Sequence, residues 1–325
     1  MKLPRRKFLH LAAGVAALPA VSRIARAQTY PARPVRVMVG FAAAGPTDIS
    51  ARVIGQWLTD RLGQGFVIEN RPGASSNLAT EAVVNAPPDG YTLLVLGAPA
   101  AINATLFDNL KFNVIRDITP IAGIIRVPEV MVVNPSVPAK TVAEFIAYAK
   151  ANRGKINMAA SGAGSVPSVA GELFKFMTGV DLVRVDYRGG GLALVDLLAG
   201  QVQVMFETTL ATASYIRAGQ LRALAVTSAT RSAALPDVPT MAESVPGYEA
   251  TAWYGLAAPK GTPAKIVDIL NKEVNAGLGD PTIKDKLADL GGLPMPMTPA
   301  DFGKFIADET EKWGKVIRAA GIKPE

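Results

Sequence analysis

The chain has 325 residues, no cysteine, one histidine and a formal net charge of +7 at pH 7. Six basic residues (Lys2, Arg5, Arg6, Lys7, Arg23, Arg26) fall in residues 1–27, which hold no acid; with these set aside the excess falls to +1, so charge gives no reason to expect a nucleic acid or an anionic membrane as partner. His10 lies in the same stretch, so from residue 28 onward neither His nor Cys occurs, which removes Ser-His-Asp and Cys-His catalysis, most zinc and copper sites, and disulfides.

Arg5-Arg6-Lys7-Phe8-Leu9 has the twin-arginine pattern, Leu11 to Ala20 is a short apolar run, and Ala25-Arg26-Ala27 is a small-x-small site. Together they predict an export signal over residues 1–27, cleaved after Ala27. The apolar run is well short of the ~20 residues that span a bilayer, and there is no cysteine to carry a lipid. The expectation is a soluble periplasmic protein.

Val35, Val37, Met38 and Val39 read as a strand, and Ile49, Val53, Ile54, Trp57 and Leu58 fall on one helical face. Between them, Gly45 and Pro46 suit an N-cap and a first helical position, because proline lacks the N–H that would be left without a partner there. Free amides in that first turn, a partial positive charge from the helix dipole and the Thr47 hydroxyl would seat an anion. The plainer reading is tight packing in the first β–α unit of an α/β fold, with Asp48 capping its own helix.

Phe66 to Glu69 reads as a second strand, followed by Arg71-Pro72-Gly73-Ala74-Ser75-Ser76-Asn77 and a helix to Asn85. Pro87-Pro88-Asp89-Gly90 is a turn into a strand over Tyr91 to Leu96. Near Pro120 to Pro128 the chain is expected to leave a first lobe, with a short strand at Val130 to Val133. Thr141 and Glu144 form a capping box. Ile156 to Ala160 is a strand ending in Ser161-Gly162-Ala163-Gly164-Ser165-Val166-Pro167, which repeats the device seen at Gly45. Strands follow at Leu182 to Tyr187, Val202 to Phe206, Leu221 to Thr227 and Thr251 to Ala257. Thr262-Pro263 and Thr298-Pro299 each predict a Thr N-cap before a Pro; the tail helix carries Phe302, Phe305, Ile306, Trp313, Val316 and Ile317 on one face, as core packing.

Pro167 holds the third glycine place of a dinucleotide fingerprint, and neither a phosphate-binding P-loop nor a nucleophile elbow occurs, so no cofactor and no metal is expected. Apolar strands alternating with helices argue for parallel sheets covered on both faces. The fold class is α/β, with lobe 1 discontinuous (28–127 and 251–325), lobe 2 over 128–250, and a cleft between them.

The landmarks Phe41-Ala42-Ala43-Ala44-Gly45-Pro46-Thr47-Asp48, Glu69-Asn70-Arg71-Pro72-Gly73-Ala74, Pro88-Asp89-Gly90-Tyr91-Thr92, Tyr187-Arg188-Gly189-Gly190 and Leu235-Pro236-Asp237-Val238-Pro239-Thr240 stand in order along the chain. In this it resembles the extracytoplasmic solute receptors of tripartite tricarboxylate transporters, the Bug-type receptors, from Pro34 to Gly321. The resemblance implies a type II periplasmic-binding-protein fold with a hinge. It implies a small organic acid held by backbone amides, hydroxyls and water, and membrane transporter subunits as partners of a monomeric receptor without catalytic residues. It maps ligand contacts to Phe41, Ala44, Gly45, Pro46, Thr47 and Asp48; to Ala74, Ser75, Ser76 and Asn77; and to Ser161, Gly164, Ser165, Val166, Tyr187, Arg188 and Thr208. Three positions depart from the family pattern: Ala44 replaces a glycine, Ser75-Ser76 a glycine pair, and Ser168 a histidine. Two other readings stay open at this level. One is a periplasmic enzyme acting on organic acids through Asp48, Asp186 or Glu207; the other is a ligand-sensing partner of a membrane kinase.

Overall fold

The computed structural model describes residues 30–162, 164–187 and 189–323. The expected export signal and Arg188 lie outside the described residues.

Strand β1 (Val35–Val39) pairs in parallel with β2 (Phe66–Asn70) on one side and β3 (Thr92–Gly97) on the other. Helix α1 (Pro46–Leu62) makes the first crossover. It starts at Gly45 with Pro46 in its first turn and stops at Gly63, whose positive φ lets its N–H reach the Thr59 carbonyl. The sheet continues antiparallel through β9 (Thr251–Pro259) to β4 (Ile118–Val133).

β4 joins the two halves of the molecule. Its residues 118–128 pair with β9, whereas Glu129 to Val133 pair with β7 (Val204–Thr208) and Val130 to Val133 also with β8 (Arg222–Val226). β7 then pairs in parallel with β5 (Asn157–Ser161), and β5 with β6 (Val183–Tyr187). The short β10 (Leu293–Pro294) pairs with the Ile125–Arg126 part of β4.

From sequence only Val130 to Val133 reads as strand here, whereas β4 runs for 16 residues. Prolines inside a strand normally argue against it, because they cannot donate to the ladder. Here register shifts between Pro120 and Ala122 and between Gly123 and Ile125 absorb the irregularity, and Pro128 sits where pairing with β9 ends.

Helices α2 (Asn77–Val84), α3 (Ala98–Leu106), α4 (Val142–Ala151), α5 (Val166–Thr178), α6 (Gly190–Leu198) and α7 (Thr209–Arg217) precede β9; α8 (Ala264–Gly279), α9 (Pro281–Ala288) and α10 (Pro299–Ala320) follow it. Thr298 caps α10 as expected, accepting from the Asp301 amide at 3.1 Å. Thr262 does not cap α8. Its hydroxyl donates to the Pro259 carbonyl at 2.8 Å and Pro263 takes the cap position, because the strand end just before it offers a nearer acceptor. Thr141 caps α4, but Glu144 reaches back to the Lys140 amide rather than closing the box on Thr141.

Phe302, Ile306, Trp313, Val316 and Ile317 of α10 are buried in the core. Trp253 of β9 meets Phe302 edge-on at 5.9 Å. The buried Glu309 accepts from the indoles of Trp253 (3.1 Å) and Trp313 (2.9 Å), so it ties α10 to β9. α10 packs on α3, β4 and α5 and therefore touches both halves. Among the described residues no helix is long and apolar enough to cross a membrane.

Candidate functional site

A cavity of about 800 Å³ lies where the helix-start turns of both halves meet. From the β1–α1 turn it is lined by Phe41, Ala42, Ala43, Gly45, Pro46 and Thr47, and from the turn before α2 by Ala74 and Ser75. Pro99 opens α3, while Leu106 and Phe107 close it. The opposite wall holds Gly162, Gly164, Ser165, Val166, Pro167 and Thr208; Glu129, Ala252 and Tyr254 come from the two long strands.

The starts of α1, α3, α5 and α7 thus converge on one space. The Ile49 amide donates to the Gly45 carbonyl at 2.9 Å, the first bond of α1. The Thr47 and Asp48 amides, two and one residues before it, have no carbonyl four residues back to donate to within the helix. In α5, Ser165 Oγ accepts from the Ser168 amide at 3.3 Å and donates to the Ser161 carbonyl at 2.5 Å. Pro167 has no N–H, so the Val166 amide is the helix-start donor left at the cavity wall. Thr208 caps α7 through the Ala211 amide at 3.3 Å. Among the described lining residues there is no Lys, Arg or His, so the positive potential here is that of peptide dipoles.

Six expected contacts are not among the lining residues. Ala44 adopts a positive φ of 67°, and its amide donates to Asp48 Oδ2 at 2.9 Å. Asp48 is buried. Its Oδ2 also accepts from Arg52 Nε (2.9 Å), and its Oδ1 accepts from Asn70 Nδ2 (2.9 Å), which in turn donates to the Phe41 carbonyl (3.0 Å). Burial alone would push this carboxyl up, but the bonds from Arg52, Ala44 and Asn70 outweigh it and hold Asp48 below the usual range. Asp48 is therefore a latch that shapes residues 41–48.

Ser76 packs over Gly40, and Asn77 Oδ1 accepts from Asn103 Nδ2 at 2.9 Å. Asn103 also donates to the Ser75 carbonyl at 2.8 Å, so this one side chain fixes a turn in which Ala74, Ser75 and Ser76 are all at positive φ. Ser161 offers its carbonyl to Ser165. The Tyr187 hydroxyl donates to Asp196 Oδ2 at 2.7 Å, and burial together with that carboxylate pushes it up to about 12.

The carboxylates of the enzyme reading do not share a site. Asp48 is latched, Asp186 pairs with Arg184 at the end of β6 (2.6 Å), and Glu207 is buried and takes the Thr208 amide at 2.8 Å.

Sequence reasoning missed Pro99, Leu106, Phe107, Glu129, Ala252 and Tyr254 among the lining residues, and quoted Ala42, Ala43, Gly162 and Pro167 only as parts of motifs. One signal was available: Glu129 is an acid at the head of the apolar run Val130 to Val133. Burial pushes both Glu129 and Glu207 up, and Tyr254 up to about 12.

The sequence profile of the tripartite tricarboxylate transporter family receptor matches residues 50–322. Protein BugT of Bordetella pertussis is 39% identical over 300 residues, covering 91% of this chain and 92% of its own. Among solved structures, R. palustris Rpa4515 with adipate is 38% identical with a TM-score of 0.77, over 91% of this chain and all (100%) of that one. MatC from Rhodopseudomonas palustris, with bound malate, is 34% identical with a TM-score of 0.72, over 89% and 100%. These likenesses carry the two-lobed α/β fold of periplasmic binding proteins that the sequence resemblance implied. A profile matched along most of the chain, close relatives matched end to end and a shared fold place the chain in the tripartite tricarboxylate transporter receptor family, among the Bug-type receptors.

Proposed function

We propose that this protein captures a small carboxylate in the cavity between two lobes, residues 28–127 with 251–325 and residues 128–250, and presents it to the membrane subunits of a tripartite tricarboxylate-type transporter. The observation that carries the reading is the convergence of four helix starts on a cavity whose described lining offers no cation. An anion there meets N–H groups and dipole ends already in place, so little reorganisation opposes binding. The two R. palustris relatives solved with adipate and with malate support an aliphatic carboxylate as the ligand class. The sheet change in the middle of β4, matched by the start of β9, supplies a pair of strands about which the lobes can close.

The reading sets the protein outside the inner membrane, in keeping with the basic, acid-free segment before residue 28. Titration calorimetry and thermal shift against mono-, di- and tricarboxylates test it. A bound acid at 100 times its Kd stabilises the folded state by about 2.7 kcal/mol. Absence of heat and of any shift across the panel would overturn the reading. Turnover of a bound acid, followed by mass spectrometry, would replace it with the enzyme reading.

A further inference from the structure

Glu129 lies where β4 passes from one sheet to the other, on the cavity wall. Its main chain is fully committed. The amide donates to Thr227 Oγ1 at 2.8 Å, and the carbonyl accepts from the Thr227 amide at 2.9 Å and from its hydroxyl at 3.0 Å. The side chain is committed to nothing: both carboxyl oxygens are buried, and neither has a hydrogen-bond partner among the described residues.

The titratable groups facing it are Glu207 on β7, Tyr254 on β9 and Tyr248 just before β9. The Tyr248 hydroxyl is used on the Ala170 carbonyl at 2.8 Å. After β8 comes only the hydroxyl of Thr227, already bound to the Glu129 main chain. No cation stands among these groups, so an ionised carboxylate here would be desolvated, unpaired and next to a second acid.

Buried polar groups without partners are rare in native proteins and call for an explanation; at a ligand cavity, a ligand group or an enclosed water can supply the missing partner. A cationic ligand would match an ionised Glu129, but it would face the positive ends of four helices. An anionic ligand suits those helix ends and can coexist with Glu129 only as the neutral acid, whose O–H then makes a short charge-assisted bond.

Resting on the receptor reading above, we propose that Glu129 is a specificity-determining residue whose neutral carboxyl group donates a hydrogen bond, directly or through one enclosed water, to a carboxylate oxygen of the ligand. Burial and the neighbouring Glu207 both favour that neutral form. Carboxylate binding is then linked to a proton held on Glu129, so affinity falls as pH rises and the free protein loses that proton.

The test is calorimetric titration of adipate and of malate between pH 6 and pH 9 into the unaltered protein, Glu129→Gln and Glu129→Leu, with circular dichroism and melting curves confirming that each variant is folded. For the unaltered protein, Kd is expected to rise with pH, approaching about tenfold per unit for one linked proton. Glu129→Gln keeps a donor and cannot ionise; it is expected to lose the slope and to bind at least fivefold tighter than the unaltered protein at pH 9. Glu129→Leu has no donor and is expected to bind about tenfold more weakly at pH 6, again without a slope. A flat profile in the unaltered protein, or equal affinity in Glu129→Leu, overturns the inference while leaving the receptor reading intact. A diamine such as putrescine binding the unaltered protein but not Glu129→Gln would assign a cationic occupant and also overturn it. If neither acid binds the unaltered protein, the receptor reading for these acids and this inference fall together.

Discussion

Replacing Asp48 by alanine removes the latch that holds the β1–α1 turn. Three bonds are lost: from the Ala44 amide, from Arg52 and from Asn70, each at 2.9 Å. Arg52 is half exposed (53%), so its contribution is screened and worth at most about 0.5–1 kcal/mol. The Ala44 and Asn70 bonds have a buried ionised acceptor, which puts each at about 1.5 kcal/mol, the low end for a charged partner. The sum is about 3.5–4 kcal/mol, or about 7–8 °C in Tm at about 2 °C per kcal/mol for a chain of this size. Arg52→Ala should cost less than about 1 kcal/mol and serves as the comparison.

The pH dependence has a definite sign. Asp48 is held below its ordinary value of 3.8, so the stability it contributes is complete above that value and is lost as pH falls through the depressed one. The gap between the unaltered protein and Asp48→Ala should therefore be constant from pH 5 to pH 8 and close on strong acidification. Scanning calorimetry over that range, with ligand affinity measured in parallel, reads both effects; affinity should drop about tenfold as residues 41–48 loosen. A variant melting within a degree of the unaltered protein, or Arg52→Ala costing as much, would refute the latch.

Ala44→Gly should raise Tm by about 1–2 °C, because an exposed alanine at φ 67° carries a left-handed penalty of about 1 kcal/mol that glycine escapes in part. Gly40→Ala should lower stability by about 2–3 kcal/mol and weaken ligand binding, since a Cβ there would lie 1.9 Å from Ser76 Oγ and 2.7 Å from Ser76 Cα and would push the Ala74–Ser76 turn off the cavity. In the absence of ligand, Glu129→Gln should grow more stable than the unaltered protein as pH rises above 4.5. Glu129 titrates above that value in the folded state, so the unfolded chain ionises first and the folded state loses ground with increasing pH. Melting curves on either side of that value check it.

The first β–α unit was legible because alternation in Val35 to Val39 and the Gly45-Pro46 pair are local signals with local causes. So were the Ser165 side of the cavity and the Thr298 cap, each a hydroxyl before a helix. The part that sequence did not give up depends on distant partners. Asp48 reads as a cap or an acid until Asn70, 22 residues away in the chain, closes on it. Tyr187 looked available until its hydroxyl met Asp196 on α6. Tyr254 and Ala252 reach the cavity only because β9 returns from the far end of the chain to lie between β3 and β4. Glu129 was hidden inside a strand that two prolines made hard to see.

The most direct test of the account is a crystal structure grown with adipate. The account predicts a carboxylate oxygen about 3 Å from the Thr47 or Val166 amide nitrogen, with the Ser165 and Thr208 turns closed on it and no Lys or Arg side chain touching it. A carboxylate held instead by a guanidinium or ammonium group, or seated away from these helix starts, would contradict it.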